Sequence, residues 1–199
     1  METTRPGRPR AFDAEVALDK AMTVFWRQGY DSASLVDLTE AMGISRKSMY
    51  AAFGSKEQLF HRALQRYGEG PGAYIERALL ENTALEVATT FLTGAVQATT
   101  SPEHPPGCLG VQGALVAGED GRAVRDTLTD WRMTGQLRLA QRFQQATEAG
   151  DLPADADAGL IARYLMTVAN GVAVQAAGGA GREELQSVAD IAMRNWPPA

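Results

Sequence analysis

The sequence predicts an all-α protein with a small N-terminal domain and a larger helical one. Three observations predict this. Apolar residues recur at three- and four-residue spacing, strand-like alternation is missing, and glycines follow the capping residues at helix-length intervals. The 199 residues, 45% of them hydrophobic and 22% charged, suit a globular chain of one or two domains.

Residues 1–11, with Pro6, Gly7 and Pro9, read as a loose basic arm. Asp13 then caps a first helix whose Leu18, Ala21, Met22 and Phe25 fall on one face. Gly29 stops it and Tyr30 plugs the end. Ser34 caps a short helix over Leu35–Met42, and Gly43-Ile44 turns the chain. Ser45 caps a third helix from Arg46 to about Ala52, which Gly54 ends. Ser55-Lys56-Glu57-Gln58 is a capping box opening a fourth helix that runs to about Tyr67. Gly68, Gly70, Pro71 and Gly72 mark the domain boundary, giving domains 12–67 and 68–199. Further helices are expected at 73–81, 84–99, 108–117, 121–149, 155–177 and 182–195.

Charge is distributed unevenly. Residues 1–67 hold ten Lys and Arg against eight Asp and Glu, whereas residues 68–199 hold nine against sixteen. The net +2 and −7 place a positive end on an acidic body, suggesting that one end meets a polyanion. The N-terminus lacks the apolar core of a secretory signal. Tyr164–Ala177 is too short and too polar to span a bilayer, so no membrane role and a cytoplasmic location are expected. One cysteine cannot form an internal disulfide. With two histidines, no triad, no metal set and no cofactor loop, neither catalysis nor a cofactor or metal is expected.

Two short helices around a glycine turn, the second opening on Ser45-Arg46-Lys47-Ser48, make a helix-turn-helix. The DNA major groove is about 12 Å wide and admits one helix, whose Arg and Lys can pair with guanine while Ser serves bases or phosphates. Ser34, Tyr50 and Lys56 flank that helix as phosphate contacts, and Arg8 and Arg10 can enter a neighbouring minor groove. Double-stranded DNA is therefore the expected partner. Leu35, Leu38, Ile44, Met49 and Phe53 form the expected core of this domain.

Residues 12–60 resemble the N-terminal domain of the tetracycline-repressor (TetR/AcrR) family of bacterial regulators. The resemblance rests on Phe25, Gly29-Tyr30, Ser34, Asp37, Leu38 and the ungapped run from Gly43-Ile44-Ser45-Arg46-Lys47-Ser48-Met49-Tyr50 to Phe53-Gly54-Ser55-Lys56-Glu57-Gln58-Leu59-Phe60. Thr39 departs from the family's usual Ala, and Ala51-Ala52 stand where bulkier residues are common. The resemblance implies a repressor that binds a palindromic operator as a homodimer, its last two helices forming a four-helix bundle with the partner. Ile161, Leu165, Ala169 and Val172, with Leu185, Val188 and Ala192, have the spacing for that interface; an intramolecular core has the same spacing.

The resemblance also implies a pocket in the larger domain for a small apolar or aromatic effector. Phe91, Cys108, Gln112, Trp131, Met133, Tyr164 and Asn170 are the candidates to line it. Some family members share the Gly107-Cys108-Leu109 helix start. A thiol at a helix N-terminus has a lowered pKa, which makes Cys108 an alternative sensor of oxidants or electrophiles; a small buried packing residue is the other reading of this lone cysteine. Gly107, Gly110 and Gly113 at intervals of three read as one close-packing helix face rather than a phosphate loop. A dimeric binding module without operator specificity is the non-regulatory alternative.

Overall fold

A computed structural model describes residues 12–113, 121–194 and 196–197. Among these residues there are ten α-helices and no strand. The basic arm, with Arg8 and Arg10, lies outside the described residues.

Local capping chemistry sets the first four helices. Asp13 Oδ1 accepts from the amides of Glu15 and Val16 and starts α1 (Ala14–Ser32). Gly29 interrupts α1 with φ 75°, a conformation that costs glycine little. Ser34 and Asp37 form a capping box for α2 (Leu35–Met42), which ends on left-handed Gly43. Ser45 accepts from the Ser48 amide at the start of α3 (Arg46–Phe53). Ser55 and Gln58 form the expected box on α4 (Lys56–Glu69), which runs two residues past the predicted end.

A 3-10 turn at Pro71–Ala73 leads into α5 (Tyr74–Leu79), and α6 (Ala84–Thr99) follows. Of the helix expected at 108–117, residues 114–117 lie outside the described residues; the described part is one turn, α7 (Leu109–Gln112), with Cys108 as its N-cap and Gly113 as its C-cap. Gly107 therefore precedes the helix, with φ 89°, and only Gly110 of the three glycines lies inside it. A Cβ on Gly110 would stand 2.3 Å from the Trp131 ring, so close packing is its role. Then come α8 (Arg122–Glu148), α9 (Ala158–Ala177) and α10 (Arg182–Met193). Asp157 Oδ1 takes the Leu160 amide, which is why α9 starts at 158 rather than 155. By length and composition α9 could cross a membrane, but its Ile161, Leu165, Met166 and Val172 are buried in the core.

Two hydrophobic clusters hold the chain together. One gathers α5, α6, α8, α9 and α10 around Phe91, Leu139, Phe143 and Leu165. The other holds α1–α4 around Phe25, Trp26, Phe60 and Tyr67, and also includes Cys108, Leu109, Val111, Val124, Leu128 and Ala173. The core of the first four helices is thus continuous with α7 and the start of α8. Trp26 meets Tyr67 edge-on at 4.9 Å and stacks on His104 at 5.8 Å, while Tyr67 tilts against Trp131 at 6.0 Å. The Tyr30 amide donates to the Gly113 carbonyl at 2.8 Å, and Gln112 Nε2 donates to the Trp26 carbonyl at 3.3 Å. Arg66 grips Asp19 through both Nε and Nη2, tying α4 to α1.

The surroundings of Cys108 favour packing over sensing. Its thiol is buried and accepts from the Tyr67 hydroxyl at 3.1 Å. Burial pushes the thiol pKa up, and the hydrogen bonds from Tyr67, Val111 and Gly110 offset this only in part. A four-residue helix does not supply the activation that an exposed helix N-terminus would. The residue packs in the seam, which disfavours the sensor reading.

Two outcomes follow from this packing. Gly110→Ala should destabilise the fold by about 1–3 kcal/mol through overpacking against Trp131, seen as a lower midpoint in thermal or urea unfolding. Burial also raises the Tyr67 and Tyr74 phenols along with the Cys108 thiol. The folded chain keeps these groups protonated at pH values where the unfolded chain releases them. Their contribution to stability is full below about pH 8.5 and falls as pH rises through about 10 and beyond. Urea midpoints at pH 7.5 and 10.5 measure this loss; equal midpoints would contradict it.

Candidate nucleic-acid interface and effector domain

Helix α3, the second helix of the helix-turn-helix, is anchored by Met49 and Phe53, both buried. That anchoring turns Arg46, Lys47, Tyr50 and Ala51 outward. Tyr50 is 48% exposed, a large ring presented to solvent beside two cations. These residues have the geometry of a groove-reading face: side chains that donate hydrogen bonds project from a helix narrow enough to enter. Val36 on α2 is also an exposed apolar side chain, at 46%, which the sequence pattern did not single out.

The serines expected to meet DNA are first of all caps. Ser34 Oγ accepts from the Asp37 amide at 3.1 Å, while Asp37 accepts from the Ser34 amide. The Ser34 hydroxyl and then the Ser34 amide, both donating to it, hold the Asp37 carboxyl below its usual pKa. Ser45 Oγ accepts from the Ser48 amide and lies 3.0 Å from Ser48 Oγ. Lys56 is held back: its Nζ lies 4.4 Å over the Tyr30 ring and 3.5 Å from the Asp31 carbonyl. Burial lowers its pKa, and Asp31 opposes that shift. Thr39, unusual for the resemblance, donates its Oγ1 to the Leu35 carbonyl at 2.8 Å and is accommodated.

The seven effector candidates do not converge. Phe91 belongs to the larger core. Cys108, Gln112 and Trp131 gather around α7 at the seam. Met133 is 56% exposed on α8 and points away from the interior. Asn170 is half-buried on α9. Tyr164 lines a groove of about 600 Å³ with Pro153, Asp157 and Leu160. A larger cleft, about 710 Å³, lies between α1, the end of α4 and Glu103-His104, and none of the seven lines it. Among buried polar atoms at the seam, Trp26 Nε1 and Gln112 Oε1 have no hydrogen-bond partner.

The interface stripe is also redistributed. Ile161, Leu165, Ala169, Val172, Leu185 and Ala192 face the intramolecular core, and only Val188 of that set is outward, at 45% exposure. The large outward apolar residues of α9 and α10 are Leu160, Val174, Val188 and Ile191. Helical spacing correctly marked an apolar face, but the face it marked is the one covered by the rest of the same chain.

Comparison with known proteins places these features. Residues 17–63 match the family model of bacterial regulatory proteins of the tetR family, and residues 84–189 match the tetracyclin repressor-like C-terminal domain. The HTH-type transcriptional repressor ComR of Escherichia coli K12 is 33% identical over 193 residues, 96% of this chain and 92% of ComR. The HTH-type transcriptional repressor BdcR of the same strain is 47% identical over 62 residues, 31% of this chain and 32% of BdcR. The TetR family regulator CifR, in a cysteine-mutant structure complexed with 26-bp double-strand operator DNA, is 43% identical with a TM-score of 0.91, covering 96% of this chain and all of that one. The two matched models, the ComR-length similarity and the exposed α3 face together show that the chain belongs to the tetR family of bacterial DNA-binding transcriptional regulators.

Proposed function

We propose that the chain is a ligand-responsive transcriptional repressor that binds a palindromic operator as a homodimer and leaves it when a small apolar or aromatic molecule binds. The observation that carries this reading is the outward row Arg46, Lys47 and Tyr50 on a helix whose other face is buried, on a chain of net charge −5. An acidic protein with one local basic patch favours specific docking over general coating of DNA. Residues 12–67 are the reading unit and residues 68–199 the effector and dimerisation unit, in the cytoplasm.

The dimer supplies what one short helix lacks, since two recognition helices spaced one DNA turn apart read a palindrome. Leu160, Val174, Val188 and Ile191 are the residues we assign to the partner contact, because they are the large apolar outward side chains of the last two helices. The seam would carry the signal. An effector that shifts α7 or the start of α8 strains the Tyr30–Gly113 bond and the packing of Trp26 and Tyr67, moving α1 and α4 together. A coupling of about 1–3 kcal/mol weakens operator binding about 5- to 150-fold.

Selection from random duplex DNA with the purified protein tests the reading. A recurring palindrome is expected; no enrichment in low salt, after removal of bound small molecules, would overturn it. On the selected site, Lys47→Ala should weaken binding. If Lys47 meets phosphate, the log–log salt slope falls by about 1; if it meets guanine, one base preference relaxes at a cost of about 1–3 kcal/mol. No change in either would remove Lys47 from the interface.

A further inference from the structure

The recognition helix has a weak end. α3 is eight residues long and is anchored by Met49 and Phe53, with no basic residue in its own last turn. The last carbonyls of any helix lack intrahelical partners, and the dipole makes that end negative. The Gly54 amide satisfies the Tyr50 carbonyl at 3.0 Å. The Ala52 carbonyl is taken from outside the helix: Arg62, on the second turn of α4, donates Nη1 to it at 3.1 Å. The same guanidinium lies 5.6 Å from the centroid of the Phe53 ring, whose other aromatic neighbour is Phe12, at 6.2 Å. One side chain thus holds the last turn of α3 by a charged hydrogen bond and by stacking.

We propose that Arg62 is a positioning residue for operator recognition. It fixes the attitude of α3 against α4 and so places Arg46, Lys47 and Tyr50 in register with the bases. The proposal rests on α3 being the recognition helix. Hydrogen bonds to base edges weaken steeply once donor angles fall off, so a small tilt of a two-turn helix costs specific contacts while leaving general attraction to phosphate intact. Arg62 is exposed, so truncating it opens no cavity in the core.

The test uses the full-length protein, its selected operator and a random duplex of equal length, over a salt series. Arg62→Ala should lower operator affinity roughly tenfold, the scale of one lost base-pair contact, and leave random-duplex affinity within about twofold. The salt slope and the thermal midpoint should stay put. Arg62→Lys should recover most of the loss, because an ammonium can donate to the same carbonyl. Three results would overturn the proposal. Operator and random-duplex affinity falling together, with a slope shallower by about 1, would make Arg62 a phosphate contact. A midpoint falling in step with operator affinity would make it a general stabiliser. Unchanged operator affinity would leave it without a role. Wild-type protein that selects no operator would instead sink the recognition-helix reading on which the proposal stands.

Discussion

Trp26 and Tyr67 are buried against the second half of the chain, and the architecture depends on that burial. Trp26 is on α1 and Tyr67 on α4, yet their ring neighbours include His104 and Trp131, and the Tyr67 hydroxyl bonds Cys108. Two large aromatic rings contribute apolar area that a small four-helix unit can hardly replace. The helix-turn-helix therefore shares its core with α7 and α8. Its orientation is fixed by the larger domain, with no linker between them to hinge freely.

That constraint gives the regulator reading its physical content. A shared core transmits displacement, because packed interiors have few voids to absorb it. α1 is held to α7 by the Tyr30–Gly113 bond and to α4 by the Asp19–Arg66 pair. Lys56 closes the circuit from the start of α4 back to the Tyr30 ring. Each contact is worth little alone, and together they tie α1, α4 and α7 to one another. The two unpartnered polar atoms, Trp26 Nε1 and Gln112 Oε1, lie in the same seam, where unmet hydrogen bonding lowers the cost of rearrangement.

What the sequence disclosed follows from how far each interaction reaches. Asp13, Ser34, Ser45 and Ser55 cap amides two or three residues away, so the starts of α1–α4 were legible. The ungapped run from Gly43 to Phe60 made the family legible too. Contacts spanning the chain were not. Nothing near Tyr30 announces Gly113, and nothing near Ala52 announces Arg62. Periodicity showed that α9 has an apolar face, but not that its own domain covers Ile161 and Leu165 while Leu160 and Val174 look outward. The choice between sensor and packing residue at Cys108 was not legible for a related reason. Helix-end chemistry is local, but burial, which sets its pKa, comes from the distant Tyr67 and the helices around it. A ligand pocket could not be read from helix spacing, because pocket shape depends on all of these distant contacts at once.

Native-state hydrogen exchange tests the shared core most directly, by comparing the Tyr30 amide with the Leu165 amide in the middle of α9. If the seam makes one cooperative body, both amides open only with global unfolding, at equal free energy and with equal denaturant dependence. If Tyr30 opens at lower free energy together with the rest of α1–α4 while Leu165 stays protected, the helix-turn-helix is an independent unit. The coupling described here would then be contradicted.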